Sequence, residues 1–231
     1  AYNVAVGKNA GLSVTTGTQN TLLGSLSGDA VTTGIQNVAV GMNSLGALTD
    51  ADYNVAVGAY ALDADTMGSQ TTAIGYGALS AQNFTTATNS LNTAVGYLAG
   101  LSVTTGTSNT LIGGLAGDAQ TDASNSTAVG YAALGANTTG SNNTAIGKEA
   151  LDANTEGSEN VAVGVGALGA QTTSTDNVAV GVNAGLSITT GIRNTILGRS
   201  AGDALTDADD NVAVGQQSLS SDTLGSGAVA I

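Results

Sequence analysis

The stretch NVAVG occupies residues 3–7 and returns at 37–41, 54–58, 160–164, 177–181 and 211–215. Its closing glycine serves as a marker. Gly7, Gly24, Gly41, Gly58, Gly75, Gly96, Gly113, Gly130, Gly147, Gly164, Gly181, Gly198 and Gly215 all end a unit of this kind. Successive markers lie 17 residues apart, except for one spacing of 21 between Gly75 and Gly96. A fixed period of this length identifies a repeat architecture, in which each unit buries its face against neighbours of the same kind.

The columns of the repeat are narrow. The residue before the marker is always aliphatic, the residue two before is mostly Ala, and the residue three before is only Val or Thr. Four before it stands Asn: Asn3, Asn20, Asn37, Asn54, Asn92, Asn109, Asn143, Asn160, Asn177, Asn194 and Asn211. Three and six residues after the marker only Ala or Ser occurs, and eight after it Thr stands in twelve of thirteen units. The Val/Thr-Ala-Val/Ile run favours a short strand ended by Gly, and the frequent Gly and Thr disfavour helix. The expected fold is therefore all-β, a parallel β-roll or β-solenoid of about fourteen 17-residue coils. Stacked Asn side chains are expected to form an amide ladder. The marker glycines are expected to serve a turn needing positive φ or close backbone approach. The aliphatic column before the marker is expected to be a buried spine.

A second period lies on the first. Four residues after the marker the chain reads Gly, Gly, Leu, Leu, Leu, and then repeats that order. Leu22, Leu111 and Ile196 replace the usual Ala in the same rhythm, which implies that a large side chain at one site compensates for a glycine at another (Gly28, Gly117, Gly202). The chain reads as one repetitive domain over 1–231 with a five-coil super-repeat and a four-residue insertion in the turn within 76–96. It begins and ends inside the pattern, as a piece of a longer fibre would.

The net charge is −13, with only four basic residues, Lys8, Lys148, Arg193 and Arg199. Phosphate neutralisation needs Lys and Arg, so nucleic-acid binding is not expected. No cysteine is present, which excludes disulfides and thiolate metal sites. No span apolar enough for a membrane is visible, and no direct membrane insertion is expected. A narrow roll of small and aliphatic residues leaves an apolar strip exposed as a monomer, which points to self-association.

The units NVAVGAYAL at 54–62 and NTAIGKEAL at 143–151 resemble the head repeats of YadA-type trimeric autotransporter adhesins, and similar repeats occur in phage tail fibres. The resemblance covers nearly the whole chain in register. It implies a left-handed parallel β-roll, a homotrimer, an extracellular place on a cell surface or virion, and attachment to a host glycan or protein. A purely structural tail-fibre shaft is the nearest alternative.

Catalysis lacks its usual residues, since there is no His and no Cys. Asp50/Asp52, Asp63/Asp65 and Asp207/Asp209/Asp210 are the dense carboxylate clusters. They read as turn carboxylates in preference to the acid pair of a β-helical glycan-degrading enzyme. No cofactor or metal is expected. The Thr column raises an ice-binding alternative, weakened because the following residue is irregular (Asp50, Met67, Asp122, Glu156, Asp207). Tyr60, Tyr76, Tyr97 and Tyr131 sit one or two residues after a marker, where they serve either as sugar-stacking platforms or as packing between chains. Phe84, in the inserted loop, is the remaining candidate for a binding surface.

Overall fold

The computed structural model describes residues 2–231. It is all-β, with about thirteen turns of a parallel β-solenoid. Its contacts group into two units. One runs through Leu115 and includes Gln120–Asp122; the other comprises Ala116–Ala119 and Ala123–Ile231.

In the first unit the strands are β1 (Val4–Val6), β2 (Thr21–Leu23), β3 (Val38–Val40), β4 (Val55–Val57), β5 (Gly68–Ser69), β6 (Thr72–Ile74), β7 (Thr88–Asn89), β8 (Thr93–Val95) and β9 (Thr110–Ile112). The order β1-β2-β3-β4-β6-β8-β9 is parallel throughout, and β5 pairs with β7 beside it. The second unit repeats the plan with β10 (Thr127–Val129), β11 (Thr144–Ile146), β12 (Val161–Val163), β13 (Val178–Val180), β14 (Thr195–Leu197), β15 (Val212–Val214) and β16 (Val229–Ala230), again in sequence order. Each strand aligns with the next at one full coil, as in Val38↔Val55, Ala39↔Ala56 and Val40↔Val57. The period seen in the sequence is thus the register of the sheet.

Alternation along a strand decides which residues lie inside. The central residue of each three-residue strand points inward: Ala39, Ala56, Ala73, Ala128, Ala145 and Ala162 are fully buried. The aliphatic residue after it points out. Val6, Ile74, Ile112, Ile146, Val180 and Leu197 are exposed, so the expected buried spine is corrected: the Ala column is the inner one. Alanine suits that position because a 17-residue coil leaves little room between its walls. The opposite wall supplies the bulk, from Leu45, Leu62 and Leu79 in the first unit and Leu134, Leu151 and Leu168 in the second, all fully buried.

These core leucines adopt a left-handed backbone, with φ of 54° at Leu45 and 51° at Leu62. That conformation costs a branched residue about 1–2 kcal/mol. Burying the side chain returns roughly 1.5–3 kcal/mol, enough to hold it. Where the column carries Gly in place of Leu in two successive coils, the inward residue of the second (Leu22, Leu111, Ile196) is enlarged to fill the space. A β-carbon on Gly28 would lie 2.7 Å from Leu22 Cδ2, one on Gly100 2.8 Å from Leu111 Cδ1, and one on Gly202 3.0 Å from Ile196 Cδ1. The size compensation read from the sequence is therefore a physical contact.

The Asn column ties coil to coil. Asn37 Oδ1 accepts the backbone N–H of Asn54 at 2.9 Å, and Asn37 Nδ2 donates to the carbonyl of Ala51 at 2.8 Å. Asn20 makes the same pair of bonds to Asn37 and Gly34, and Asn177 makes it to Asn194 and Gly191. These side chains are fully buried. Only a primary amide carries an acceptor and a donor at the separation needed to close both bonds at once. The marker glycines run beside the strands with φ between 117° and 145°. A β-carbon on Gly24 or Gly58 would collide with the carbonyl of Gly41 or Gly75, so the column excludes every other residue twice over, by conformation and by contact.

The insertion falls between Phe84 and the short strand β7. Phe84 is only 7% exposed, which corrects the expectation that it offers a binding surface. Its side chain lies inside the coil, and its N–H donates to buried Asp65 at 3.0 Å. Asp65 also accepts from Gly68 N–H and from Gln82 Nε2, whose other amide atom, Oε1, accepts from Asn92. The longer coil is closed by this polar network, which replaces the Val or Leu found at the equivalent Val14, Val31 and Leu48.

Replacing Asn37 with Ala leaves the Asn54 N–H and the Ala51 carbonyl buried without partners. The expected loss is about 3 kcal/mol of stability, since each stranded group costs about 1–3 kcal/mol. Denaturant unfolding of the variant against the parent measures it.

Candidate functional site

The residues one and two positions after the marker form an edge of the coil. Tyr60, Tyr76 and Tyr97 come from three successive coils and meet there. The rings of Tyr76 and Tyr97 stack at 5.8 Å with planes 16° apart, and Tyr60 stands edge-on to Tyr76 at 6.0 Å. Tyr76 and Tyr97 are more than half exposed. Tyr131 is equally exposed but belongs to no ring pair among the described residues. Of the sequence candidates, the fold therefore gathers three tyrosines, leaves Tyr131 alone and buries Phe84.

Beside the rings runs a trough of about 600 Å³, lined by Tyr60, Tyr76, Asp63, Ala64, Ser80, Ala81, Leu101 and Ser102. Gly77 and Leu98 complete its lining. Gly77 opens the trough because it lacks a side chain where all other coils but that of Gly166 carry one, most often Asn or Leu; a β-carbon there would lie 2.7 Å from Leu98 Cδ2. Asp63 is half-buried, and burial pushes its carboxyl above the ordinary carboxylate range, with its own backbone N–H opposing the shift in part.

A second trough lies in the other unit, lined by Glu149, Asp152, Gly166, Gly169, Ala170, Leu186 and Ser187. These residues match the first set column by column. Gly166 stands where Gly77 does, Asp152 where Asp63 does, and Glu149 replaces Tyr60. Burial, and then the neighbouring charge of Glu149, raises the Asp152 carboxyl. Gly77 and Gly166 are the only glycines two residues after a marker. The sequence reading missed both troughs, and that column is the signal that could have found them.

The other candidates are engaged in holding the fold. Thr15, Thr49, Thr104 and Thr155 each donate a hydroxyl to the carbonyl of the next Thr in the column, so these hydroxyls serve the backbone. Asp50 accepts the hydroxyls of Thr32 and Thr33, both at 2.7 Å, and Asp52 accepts Ile35 N–H. Asp207 and Asp209 repeat the arrangement, and Asp210 forms a two-pronged pair with Arg193. Among the described residues no group of three His, Cys, Asp or Glu is placed to hold a metal ion, and no helix is long and apolar enough to cross a membrane. Comparison with protein-family models, with curated proteins and with solved structures finds no match to this chain.

The acid groups divide by sign. Burial raises Asp63, Asp65, Asp118 and Asp152 above the ordinary value near 3.8. In the folded chain these four hold their protons more tightly than when unfolded. Their stabilisation is full below 3.8 and fades as pH rises through the raised values. Hydrogen bonds from Thr33 and Thr32 lower Asp50, and the bond from Arg193 lowers Asp210; their contribution is present above 3.8 and is lost only in stronger acid. The thermal midpoint is therefore expected to rise as pH falls from 7 to about 4.5, with a smaller rise in Asp65→Asn. Calorimetry across that range checks it.

Proposed function

We propose that the chain is a segment of an extracellular fibre on a cell or virion, a homotrimer of left-handed β-rolls that projects outward and attaches to a host or another surface. The observation that carries this reading is the outward aliphatic row. In each unit a column of Val, Ile and Leu stands in water on the strand face, at 37% exposure for Ile74 and 39% for Ile112 in the first, 40% for Ile146 and 39% for Val180 in the second. A monomer exposing such a row gains by covering it, and identical copies carry identical rows at identical spacing. The resemblance of the repeats to YadA-type heads and to tail-fibre repeats supports the same assembly. The engaged Thr hydroxyls weigh against an ice-binding role.

Light scattering after gel filtration is expected to return the mass of three 22.2-kDa chains. Val180→Lys, which sets a charge in the row, is expected to shift the mass towards a single chain while the β-sheet circular dichroism persists. A parent protein that runs as a monomer overturns the assembly.

A further inference from the structure

The trough beside Tyr76 brings free polar groups together with exposed aromatic rings. Much of the polar side-chain complement of the coils is tied to neighbouring backbone, as the Asn and Thr columns are. Here the Asp63 carboxylate has no hydrogen-bond partner beyond its own N–H, and the hydroxyls of Ser80 and Ser102 have none among the described residues. Tyr60 and Tyr76 line the same trough, their rings edge-on to each other. The trough thus offers aromatic surface together with hydroxyls and a carboxylate acceptor.

We infer that this trough is a subsite for a neutral oligosaccharide, with the pyranose rings packed on Tyr60 and Tyr76 and sugar hydroxyls bound by Asp63, Ser80 and Ser102. The inference rests on the attachment reading above and names its ligand class.

Three features select this ligand. The first is charge. Asp63 is the only charged residue in the lining, no Lys or Arg lies there, and the chain carries −13. A sialylated, uronic or phosphorylated glycan meets repulsion with nothing to neutralise it. The second is the state of the backbone. Gly77 N–H donates to Ala59, Leu98 N–H to Tyr76, Ser80 N–H to Gly77 and Ala81 N–H to Leu101, so no free strand edge is offered to an extended peptide. The third is the disposition of the rings. Tyr76 and Tyr97 are stacked with planes 16° apart and Tyr60 stands edge-on to Tyr76, so the ring faces do not converge on one point as a cage around an ammonium group requires. The trough crosses three coils, about 10 Å at the usual strand spacing, which accommodates two or three sugar rings.

The second trough serves as an internal comparison. It keeps the glycine and the aspartate but has Glu149 and Val165 in place of Tyr60 and Tyr76. The aromatic rings are missing, and the inference does not extend to it.

The test uses the full chain and a panel of neutral hexose and N-acetylhexosamine trisaccharides, with sialylated trisaccharides and a lysine-rich peptide as separate arms, read by titration calorimetry. Binding is expected in the neutral arm alone. Tyr76→Ala is expected to weaken it about tenfold, the loss from truncating one large apolar contact. Gly77→Asn is expected to abolish it by filling the floor. Asn occupies the same column with the same backbone at Asn9, Asn43 and Asn183, so the variant is expected to keep the parent's circular dichroism and thermal midpoint. Tyr131→Ala is expected to bind as the parent does. Binding confined to the sialylated or peptide arm overturns the inference, as does neutral-sugar binding unchanged in both Tyr76→Ala and Gly77→Asn. Attachment of the parent to cells that persists in Gly77→Asn overturns the sugar subsite and leaves the attachment reading standing. Sugar binding by a parent that attaches to no cell surface does the reverse.

Discussion

The fold depends on how the asparagine found in most coils disposes of two backbone groups. A parallel solenoid pairs its short strands well but leaves the intervening turns with N–H and C=O groups facing the interior. Unmatched, each would cost about 1–3 kcal/mol. The amide of Asn37 accepts the N–H of Asn54 and donates to the carbonyl of Ala51, and the same pair of bonds recurs at Asn20 and Asn177. With the turns satisfied, the coil can be narrow, and a narrow coil dictates the rest: Ala on the inner strand face, Ala or Ser beyond the marker, and a glycine where adjoining backbones touch.

Most of this was legible because repetition turns a spatial neighbour into a sequence interval. The period of 17 is the strand register, and the alternation of Leu and Gly four residues past the marker is the packing of Leu22 into the space above Gly28. Two things were not legible. The direction of the strand face was misread, because an aliphatic column looks like a core, whereas the inner position is set by what fits between the walls. The left-handed backbone at Leu45 and Leu62 was also hidden, since leucine carries no mark of that conformation. It is imposed by burial that outweighs a local penalty, an effect visible only once the opposite wall is in place.

The candidate site divides in the same way. The tyrosines were visible as outliers in a chain with few aromatics, and three of them meet as neighbours in stacked coils must. Phe84 was misjudged because an irregular loop suggests exposure, whereas this loop is tied inward through Asp65 and Gln82. Asp63 stood out only as part of a turn carboxylate cluster, and Ser80 and Ser102 carry no sequence mark of their own. Their significance comes from Gly77, whose missing side chain gives them something to face.

Gly77 and Gly166 stand at matching places in successive five-coil blocks, one flanked by phenols and the other by carboxylates. A cleft here is made by omission, at a position the scaffold does not need for its own cohesion. Copying a block therefore yields a spare recess with its architecture intact and its rim free to diverge. A lineage built this way can acquire new specificities by editing a few rim residues in one copy while the other continues in service.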